Sequence, residues 1–506
     1  MNHLLTALMI NIKKWIYVPI LLFFVPICLT AQKKFDFNSN CQKAYKEIIW
    51  LKLKNGQELI DNEKKTNPDN LIPYFLENYI DFFILFFNQD PSEYKIRREN
   101  AEKRFQLLKT GPASSPFYLF TKSVMHFQWA AVHVKFASNW DAAWEFRRSF
   151  LSGKENREKF PEFAPGAMLN GSMEVAAGTI PSGYKWLSSL LGIKGTIKGG
   201  MDTLERFIAQ NDTWAALFRD EAIFYYLYLK FYIENKRADV FDFINKHQLD
   251  IKNNHLFAYL AANLALNDQQ AAYAKRIIEQ RNMSSEYFDT PIWDYELGFA
   301  KIDHLDTDAA IYLDKFLNRF KGKFYVKDVL QKLSWFYYLH SDTKKANEYR
   351  ALILKKGSLD TEADKQAFKE AKTDKWPNAI LLKARLLNDG GYHKEALQML
   401  EGKSSSDFVN IEDKLELAYR LGRIYDDLGR KDEAITTYLT AIKLGQQRRE
   451  HYAARAALQI GYIYEKRNDK QTAIAYFEKV IEMKDHDYKN SLDQKAKAGI
   501  ARCKDE

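Results

Sequence analysis

Eight of the chain's 22 glycines fall in residues 166–200, which have the sequence GAMLNGSMEVAAGTIPSGYKWLSSLLGIKGTIKGG. A glycine-rich loop binds phosphate when it follows a strand and has the form Gly-x-x-x-x-Gly-Lys-Ser/Thr, because its backbone N–H groups then surround the anion. Gly192 and Gly195 lack that spacing, and no strand–helix–strand pattern surrounds them. The stretch therefore does not predict a nucleotide site.

Other chemical motifs are equally incomplete. His126 and His133 are seven residues apart in an aromatic-rich segment, without the His-Glu-x-x-His spacing of a zinc site, and we interpret them as packing residues. Ser182 and Lys185 match Ser-x-x-Lys, but the companion motifs are missing, and Gly-x-Ser-x-Gly does not occur. The acidic pair at 426–427 points in two directions from one helix, a poor arrangement for paired-carboxylate catalysis. No catalytic residue, cofactor or metal ligand is predicted, and we expect a protein that is not an enzyme.

Residues 1–31 have the three parts of a secretory signal peptide. Lys13 and Lys14 form a basic flank, an apolar run covers residues 15–29, and a small residue precedes the expected cleavage site. We expect export and cleavage after residue 31. Two alternatives stay open, which are lipidation at Cys28 and retention of the apolar run as an uncleaved anchor.

Composition favours a helical protein without nucleic-acid partners. Aromatic residues make up 14% of the chain, and 12 prolines and 22 glycines are few for 506 residues, which indicates long helices with short connections. Loss of the signal peptide lowers the formal net charge from +9 to +7, and no dense basic run is present. Cys41 and Cys503 lie near opposite ends of the remaining chain, so we expect two free thiols.

An internal repeat organises the C-terminal half. The segments LGRIYDDLGRKDEAITTYLTAI (421–442) and IGYIYEKRNDKQTAIAYFEKVI (460–481) share a Gly and a Tyr, then an Ala nine residues after the Tyr and an aromatic residue four further on. The same spacing can be followed towards the N-terminus at steps of 36, 36, 36, 50, 38 and 39 residues. The positions equivalent to the Gly are Tyr226, Ala262, Gly298, Ser334, Ala384, Gly422 and Gly461.

This pattern resembles the tetratricopeptide repeat (TPR). The resemblance implies an all-α solenoid of antiparallel helix pairs, in which the Gly lets helix A of each pair lie close to helix B. It also implies that a peptide or partner protein binds along the concave face, at helix A positions beside the Gly and Tyr. Transferred position by position, the partner groove consists of Trp335, Tyr338, Arg385, Asn388, Tyr419, Arg423, Asp426, Arg455, Tyr462 and Glu465.

The chain divides into six predicted segments. They are a signal peptide (1–31), an N-terminal divergent domain of helix pairs (32–160), a Gly-rich joint (161–205), divergent TPR-like repeats (206–360), a charged helical insertion (361–377) and C-terminal TPR repeats (378–506). The insertion accounts for the 50-residue step, and we expect an extra exposed helix there.

We interpret the Gly-rich joint as a site of close helix packing. Small residues recur at helical spacing along one face, at Ala164, Ala167, Gly171, Val175 and Gly178. The pattern predicts that this helix stops at Pro181, that a short apolar helix covers residues 184–191, and that Asp202 opens the next helix through a capping box.

The leading functional hypothesis is a non-catalytic scaffold that binds a partner protein or extended peptide in the groove. The signal peptide and the residue usage resemble those of exported TPR proteins of Bacteroidetes-type bacteria, which implies the periplasm or the periplasmic face of the outer membrane. Two alternatives are an envelope enzyme or carbohydrate-handling protein with a site at 161–200, and a membrane-surface binder that uses the aromatic N-terminal pairs.

Overall fold

The architecture is that of a computed structural model, which describes residues 32–179 and 194–504. Within these ranges the chain forms 24 α-helices, and strand-type pairing is limited to one isolated β-bridge between Lys34 and Asn70. Consecutive helices pack in antiparallel pairs along the chain. The predicted all-α solenoid of TPR-like helix pairs is confirmed. The signal peptide and the helix predicted at 184–191 lie outside the described residues.

The N-terminal block contains seven helices. They are α1 (Ser39–Ile49), α2 (Leu53–Thr66), α3 (Ile72–Asn88), α4 (Pro91–Leu108), α5 (Pro116–Lys135), α6 (Asn139–Lys159) and α7 (Ala164–Gly178). Helices α1 and α2 form one pair and α5 and α6 another, and α3 contacts α1, α2, α4 and α5. Helix α3 holds the centre of the block because it buries eleven of its seventeen residues, among them Phe75 and Tyr79.

The middle block contains ten helices. They are α8 (Ile197–Ala209), α9 (Thr213–Tyr232), α10 (Arg237–Lys246), α11 (His255–Asn267), α12 (Ala271–Gln280), α13 (Ile292–Asp303), α14 (Ala309–Arg319), α15 (Val326–Leu339), α16 (Thr343–Lys355) and α17 (Glu362–Ala371). Four A/B pairs run from α9 to α16, and α17 is the predicted insertion.

The C-terminal block contains seven helices. They are α18 (Ala379–Asp389), α19 (His393–Leu400), α20 (Ile411–Asp427), α21 (Lys431–Gly445), α22 (Tyr452–Lys466), α23 (Lys470–Glu482) and α24 (Lys489–Lys504). Helices α18, α20 and α22 are the A helices of three consecutive pairs and contact one another in that order. Helix α24 covers the last pair by packing on α22 and α23.

The Gly-rich stretch is a close helix–helix contact. A Cβ atom on Gly200 would lie 2.4 Å from the carbonyl oxygen of Gly171, and one on Gly195 would lie 2.5 Å from that of Glu174. One on Gly178 would lie 2.6 Å from the amide nitrogen of Ile197. The glycines therefore let the backbones of α7 and α8 approach each other, as the small-residue face predicts.

The predicted start of α8 is wrong. The helix begins at Ile197, and Thr196 is its N-cap because its hydroxyl accepts a hydrogen bond from the Gly199 N–H. Asp202 lies one turn inside the helix and pairs with Lys198. The capping-box pattern at 202–205 therefore lies inside the helix. The sequence did not indicate the true N-terminus because the first turn contains Gly199 and Gly200, which are poor helix formers.

The insertion helix α17 is anchored to the repeats and is less exposed than predicted. Asp364 is fully buried, and its carboxylate accepts hydrogen bonds from the backbone N–H groups of Tyr325, Lys327 and Asp328. Asp364 thus caps the N-terminus of α15 from 37 residues away in the chain. At the other end, Glu370 accepts a hydrogen bond from the Trp335 indole nitrogen at 2.7 Å.

The N-terminal and middle blocks share one hydrophobic core, which runs from Phe37 to Leu297. At its centre the buried carboxylate of Glu221 on α9 accepts hydrogen bonds from the hydroxyls of Tyr45, Tyr79 and Tyr225. Burial raises the pKa of this carboxyl above its usual value, although the three tyrosines favour the ionised form. The segment boundaries at 160 and 205 stay predictions.

No disulfide joins the two described cysteines. Cys41 and Cys503 are both buried, on α1 and α24. Burial, together with the nearby Glu63, raises the pKa of the Cys41 thiol to about 12, so that this thiol stays protonated at neutral pH.

Candidate partner-binding groove

The repeat glycines bring the two helices of each C-terminal pair into contact. A Cβ atom on Gly422 would lie 2.4 Å from Cδ1 of Tyr438, and one on Gly461 would lie 2.5 Å from Cε1 of Phe477. Tyr438 and Phe477 are the aromatic residues of the repeat pattern, and both are fully buried. This confirms the predicted role of the Gly, and it fixes which face of helix A points away from helix B.

Four arginines converge on that other face. Arg385 comes from α18, Arg420 and Arg423 from α20, and Arg455 from α22, and we call these four residues the arginine cluster. We call the surface that they occupy the groove. It consists of the A-helix faces of α18, α20 and α22, and it is bordered by α17 and by residues 487–488.

The border is formed by contacts across the chain. The ammonium group of Lys369 on α17 pairs with Asp487 at 2.5 Å, and the hydroxyl of Tyr488 donates a hydrogen bond to Gln366. The insertion helix and the loop before α24 therefore meet at one edge of the groove.

Two of the arginines, Arg420 and Arg455, stack on aromatic rings. The Arg420 guanidinium lies 5.6 Å from the ring centre of Tyr419 and 5.7 Å from that of Tyr452. Arg455 lies 5.4 Å from the ring of Tyr488, and the rings of Tyr419 and Tyr452 are 5.3 Å apart. Such stacking holds a guanidinium in place while leaving its N–H groups able to bind an acceptor.

The titratable side chains show a positive potential in the groove. Burial opposes ionisation of Tyr419, yet Arg423, Arg455 and Arg420 outweigh it and lower the pKa of its hydroxyl. Burial lowers the pKa of His451, and the nearby Arg455, Arg420 and Arg385 lower it further. The imidazole of His451 is therefore neutral at physiological pH, and the positive charge belongs to the arginines.

The arginines are partly compensated by carboxylates of their own helices. Arg420 donates two hydrogen bonds to Glu416, at 3.0 and 2.8 Å, and Arg423 donates one to Asp427 at 3.3 Å. The Nε atoms of Arg423 and Arg455 are buried and have no hydrogen-bond partner. The side chains of Arg385 and Arg423 are 25% and 27% exposed, so a ligand that supplies carboxylate or carbonyl oxygens could form charge-assisted hydrogen bonds with them.

Three of the predicted groove residues are buried. Trp335 is 1% exposed beneath Arg385, whose guanidinium lies 4.9 Å from its ring. Asn388 is 4% exposed and donates a hydrogen bond to Asp427 at 2.9 Å. Tyr419 is 2% exposed. These side chains support the groove from below, and the structure brings Arg385, Arg423 and Arg455 together above them.

The other four predicted residues lie apart from the arginine cluster. Tyr338 stacks on Trp376 and donates a hydrogen bond to the carbonyl of Pro377. Asp426 accepts a hydrogen bond from Lys431, Tyr462 packs on Phe477, and both oxygens of Glu465 accept hydrogen bonds from Arg502.

The sequence interpretation missed Arg420, His451, Tyr452 and Tyr488. Arg420 is the one that spacing could have found, because it lies three residues before Arg423 and so shares its helix face. Tyr488 lies in the connection before α24, and no repeat position predicts it.

A second polar cluster lies between the N-terminal block and the repeats. Glu296 on α13 is fully buried, its Oε1 accepts a hydrogen bond from Asn263 at 2.8 Å, and its Oε2 is buried without a partner. Burial raises the pKa of Glu296 to about 7, against the effects of Asn263 and of the Lys135 charge. Burial likewise lowers the pKa of Lys135 on α5 to about 8, although Glu296 acts in the opposite direction.

Residues 413–485, which run from α20 to the loop before α24, match the tetratricopeptide repeat family. This part of the chain is therefore similar to tetratricopeptide repeats. Among curated proteins, none matches the chain. Repeats of this family generally mediate protein interactions, and helical repeat folds are typically non-catalytic.

Across residues 32–179 and 194–504, none of the helices combines the length and the apolarity that a bilayer crossing requires. Over the same ranges, His, Cys, Asp and Glu side chains form no group of three that could hold a metal ion.

Proposed function

We propose that the protein is an exported, non-catalytic scaffold that binds an acidic, extended segment of a partner protein in the groove. The observation that carries this proposal is the convergence of Arg385, Arg420, Arg423 and Arg455 from three consecutive A helices around Tyr419 and His451. An extended peptide offers carboxylates and backbone carbonyls at intervals that suit a row of parallel helices, and Tyr and Arg are favoured at binding hot spots.

The proposed location is the periplasm or the periplasmic face of the outer membrane. It is supported by the basic and apolar parts of residues 1–31, which lie outside the described residues. Expression in a Gram-negative host followed by fractionation and N-terminal sequencing tests it. A mature protein that starts at Gln32 in the periplasmic fraction is the expected result, and an intact N-terminus in the cytoplasm would contradict it.

The binding proposal is tested with variants that leave the core intact. Arg385→Gln with Arg455→Gln removes two groove charges, and Arg385 pairs with the exposed Asp389. Arg430→Gln with Arg467→Gln removes two charges from exposed positions, where Arg430 pairs with Glu433 and Arg467 with Asp432. Tyr419→Ala is unsuitable because Tyr419 belongs to the core.

Each protein is used to isolate partners from envelope extracts of the source organism, and the purified partner is then titrated against it. We expect the groove variant to bind at least about tenfold more weakly than wild type, since each charge-assisted hydrogen bond contributes roughly 1.5–3 kcal/mol. The control variant should bind like wild type, and affinity should fall with added salt. Equal affinity of all three proteins for the partner would refute binding in the groove.

A second candidate function is contact with a membrane surface. Trp140 and Trp144 lie one turn apart on α6 and are 83% and 51% exposed, which is unusual for tryptophan. Tryptophan is favoured at bilayer interfaces. Flotation with vesicles of phosphatidylethanolamine and phosphatidylglycerol should carry the wild-type protein upward and leave Trp140→Ala/Trp144→Ala behind. Absence of wild-type protein from the floated fraction would exclude this function.

A further inference from the structure

A cavity of about 930 Å³ opens between α4, α5 and α6, on the N-terminal block and away from the groove. Its walls include Ala101 and Phe105 from α4, Trp129 from α5 and Leu151 from α6. Ligand sites for small molecules have volumes of roughly 300–1,000 Å³ and are built from apolar walls with a few polar groups. The cavity therefore has the size of a small-molecule site.

The cavity lies between α4 and α6, which both pack on α5. Helix α4 buries only Ala101 and Leu108 among its 18 residues, so it has almost no apolar face of its own. It is attached to α3 by ion pairs, in which Arg104 binds both Glu77 and Asp81. Towards α5, Tyr94 hydrogen-bonds to His133 and Phe105 stacks on His126, and the charged side chains on this side of α4 line the open space.

The lining carries an excess of positive charge. Six Lys and Arg side chains line it against three Glu side chains, from α4, α5 and α6 together. Glu145 accepts hydrogen bonds from His126 and from Arg148, so its charge is already compensated within the cavity. Although burial opposes it, the hydrogen bond from His126 lowers the pKa of Glu145, which keeps this carboxylate ionised and paired.

The uncompensated cations surround an aromatic interior. Lys103 and Lys122 approach from α4 and α5, and the Nε atom of Arg147 on α6 is buried without a hydrogen-bond partner. Phe105 and His126 stack with their ring centres 4.4 Å apart at an angle of 22°. Flat apolar walls with cations around them suit a ligand that has an aromatic body and an anionic group.

We infer that this cavity binds a small aromatic anion, with its ring against Phe105 and Trp129 and its carboxylate or phosphate group near Lys103, Lys122 and Arg147. The inference is independent of the groove, because the two sites share no residue. It gives a role to a charged helix that contributes little to the core.

Fluorine NMR tests the proposal with para-fluorophenyl phosphate and para-fluorobenzoate as probes, which separate a phosphate ester from a carboxylate as the preferred anion. Saturable line broadening of at least one probe by the full-length protein is expected. The neutral para-fluorobenzyl alcohol lacks the anionic group and should be broadened less. Inorganic phosphate lacks the ring and should displace the fluorinated anions only at higher concentration.

Matched variants locate the binding. Lys103→Glu with Lys122→Glu reverses two charges in the cavity, whereas Lys95→Glu with Lys154→Glu makes the same change on α4 and α6 at positions that do not line it. The first pair should weaken binding at least about tenfold, since charges a few ångströms apart near a protein surface interact by more than 1 kcal/mol. The second pair should bind like wild type, and Ser152→Trp, which places a bulky ring in the cavity without changing charge, should weaken binding of both anionic probes.

Three results would overturn the proposal. They are no saturable binding of either anionic probe at millimolar concentration, equal binding by the two lysine double variants, and binding of the neutral alcohol as tight as that of the anions. Circular dichroism of each variant shows whether the helices are retained, so a folding defect in one double variant is recognised, and Ser152→Trp then decides the location.

Discussion

The substitution Glu296→Gln should make the protein more stable, by an amount that grows as the pH rises. Glu296 is fully buried, and one of its carboxylate oxygens has no hydrogen-bond partner. Gln has almost the same shape and carries no charge, so the substitution removes the ionisation while keeping the packing and the contact with Asn263.

The direction of this pH dependence follows from proton binding by Glu296. Burial raises the pKa of Glu296 from 4.5 to about 7 in the folded protein, so the folded state holds a proton between these values that the unfolded state has lost. The resulting stabilisation is fully present below pH 4.5 and is lost as the pH rises through 7. At 1.4 kcal/mol per pKa unit the loss is about 3 kcal/mol by pH 8.

The assay is thermal unfolding followed by circular dichroism at pH 5, 6.5 and 8. For a folded chain of roughly 460 residues the unfolding entropy is about 1 kcal/mol/K, so 3 kcal/mol corresponds to a Tm difference of about 3 °C. We expect the Tm of Glu296→Gln to exceed that of wild type by about 3 °C more at pH 8 than at pH 5. Glu395→Gln, at an exposed position on α19, serves as the control and should show no such trend. A Tm difference that is the same at pH 5 and pH 8 would refute the reasoning, because Glu296 would then ionise at its ordinary pKa.

Three further substitutions test the packing. Glu221→Ala leaves the hydroxyls of three buried tyrosines without their acceptor and should destabilise the fold by about 3–5 kcal/mol, measured by urea unfolding, whereas an unchanged midpoint would contradict the role of this carboxylate. Gly171→Leu should cost about 1–3 kcal/mol through overpacking, because a Cβ atom there lies 3.0 Å from the carbonyl oxygen of Gly200, and an unaltered Tm would count against the close joint. Asp364→Ala removes the cap of α15 and should lower the free energy of unfolding by about 1–2 kcal/mol. Amide hydrogen exchange at Lys327 and Asp328 should become faster, and exchange rates equal to those of wild type would disprove the capping.

The repeat architecture could be predicted because it is encoded at short range. The Gly of helix A and the aromatic residue of helix B are 16 residues apart in both clear repeats, at 422 and 438 and at 461 and 477, and each pair is in contact. Spacing of this kind indicates one helix–turn–helix unit. Because the solenoid forms by stacking such units, the repeat spacing is enough to predict the fold.

The groove and the cavity depend on contacts that spacing does not encode. Asp364 caps a helix that begins 38 residues before it, and Tyr488 supports Arg455 from a different helix connection. The lining of the cavity comes from three helices, α4, α5 and α6. Positions of this kind are set by tertiary packing, which one sequence without repeats in that region does not specify.

Because of the insertion, repeat position alone does not identify which residues of this chain face the groove. Trp335 occupies the same repeat position as Arg385 of α18 and Arg423 of α20, but it packs against α17, where its indole donates a hydrogen bond to Glu370. Because α17 occupies that face of α15, the groove does not continue from α18 onto α15. The 50-residue step in the repeat therefore marks the end of the groove as well as an insertion. A partner segment bound by the arginine cluster should then contact α18, α20 and α22 and stop at the edge formed by Lys369 and Asp487.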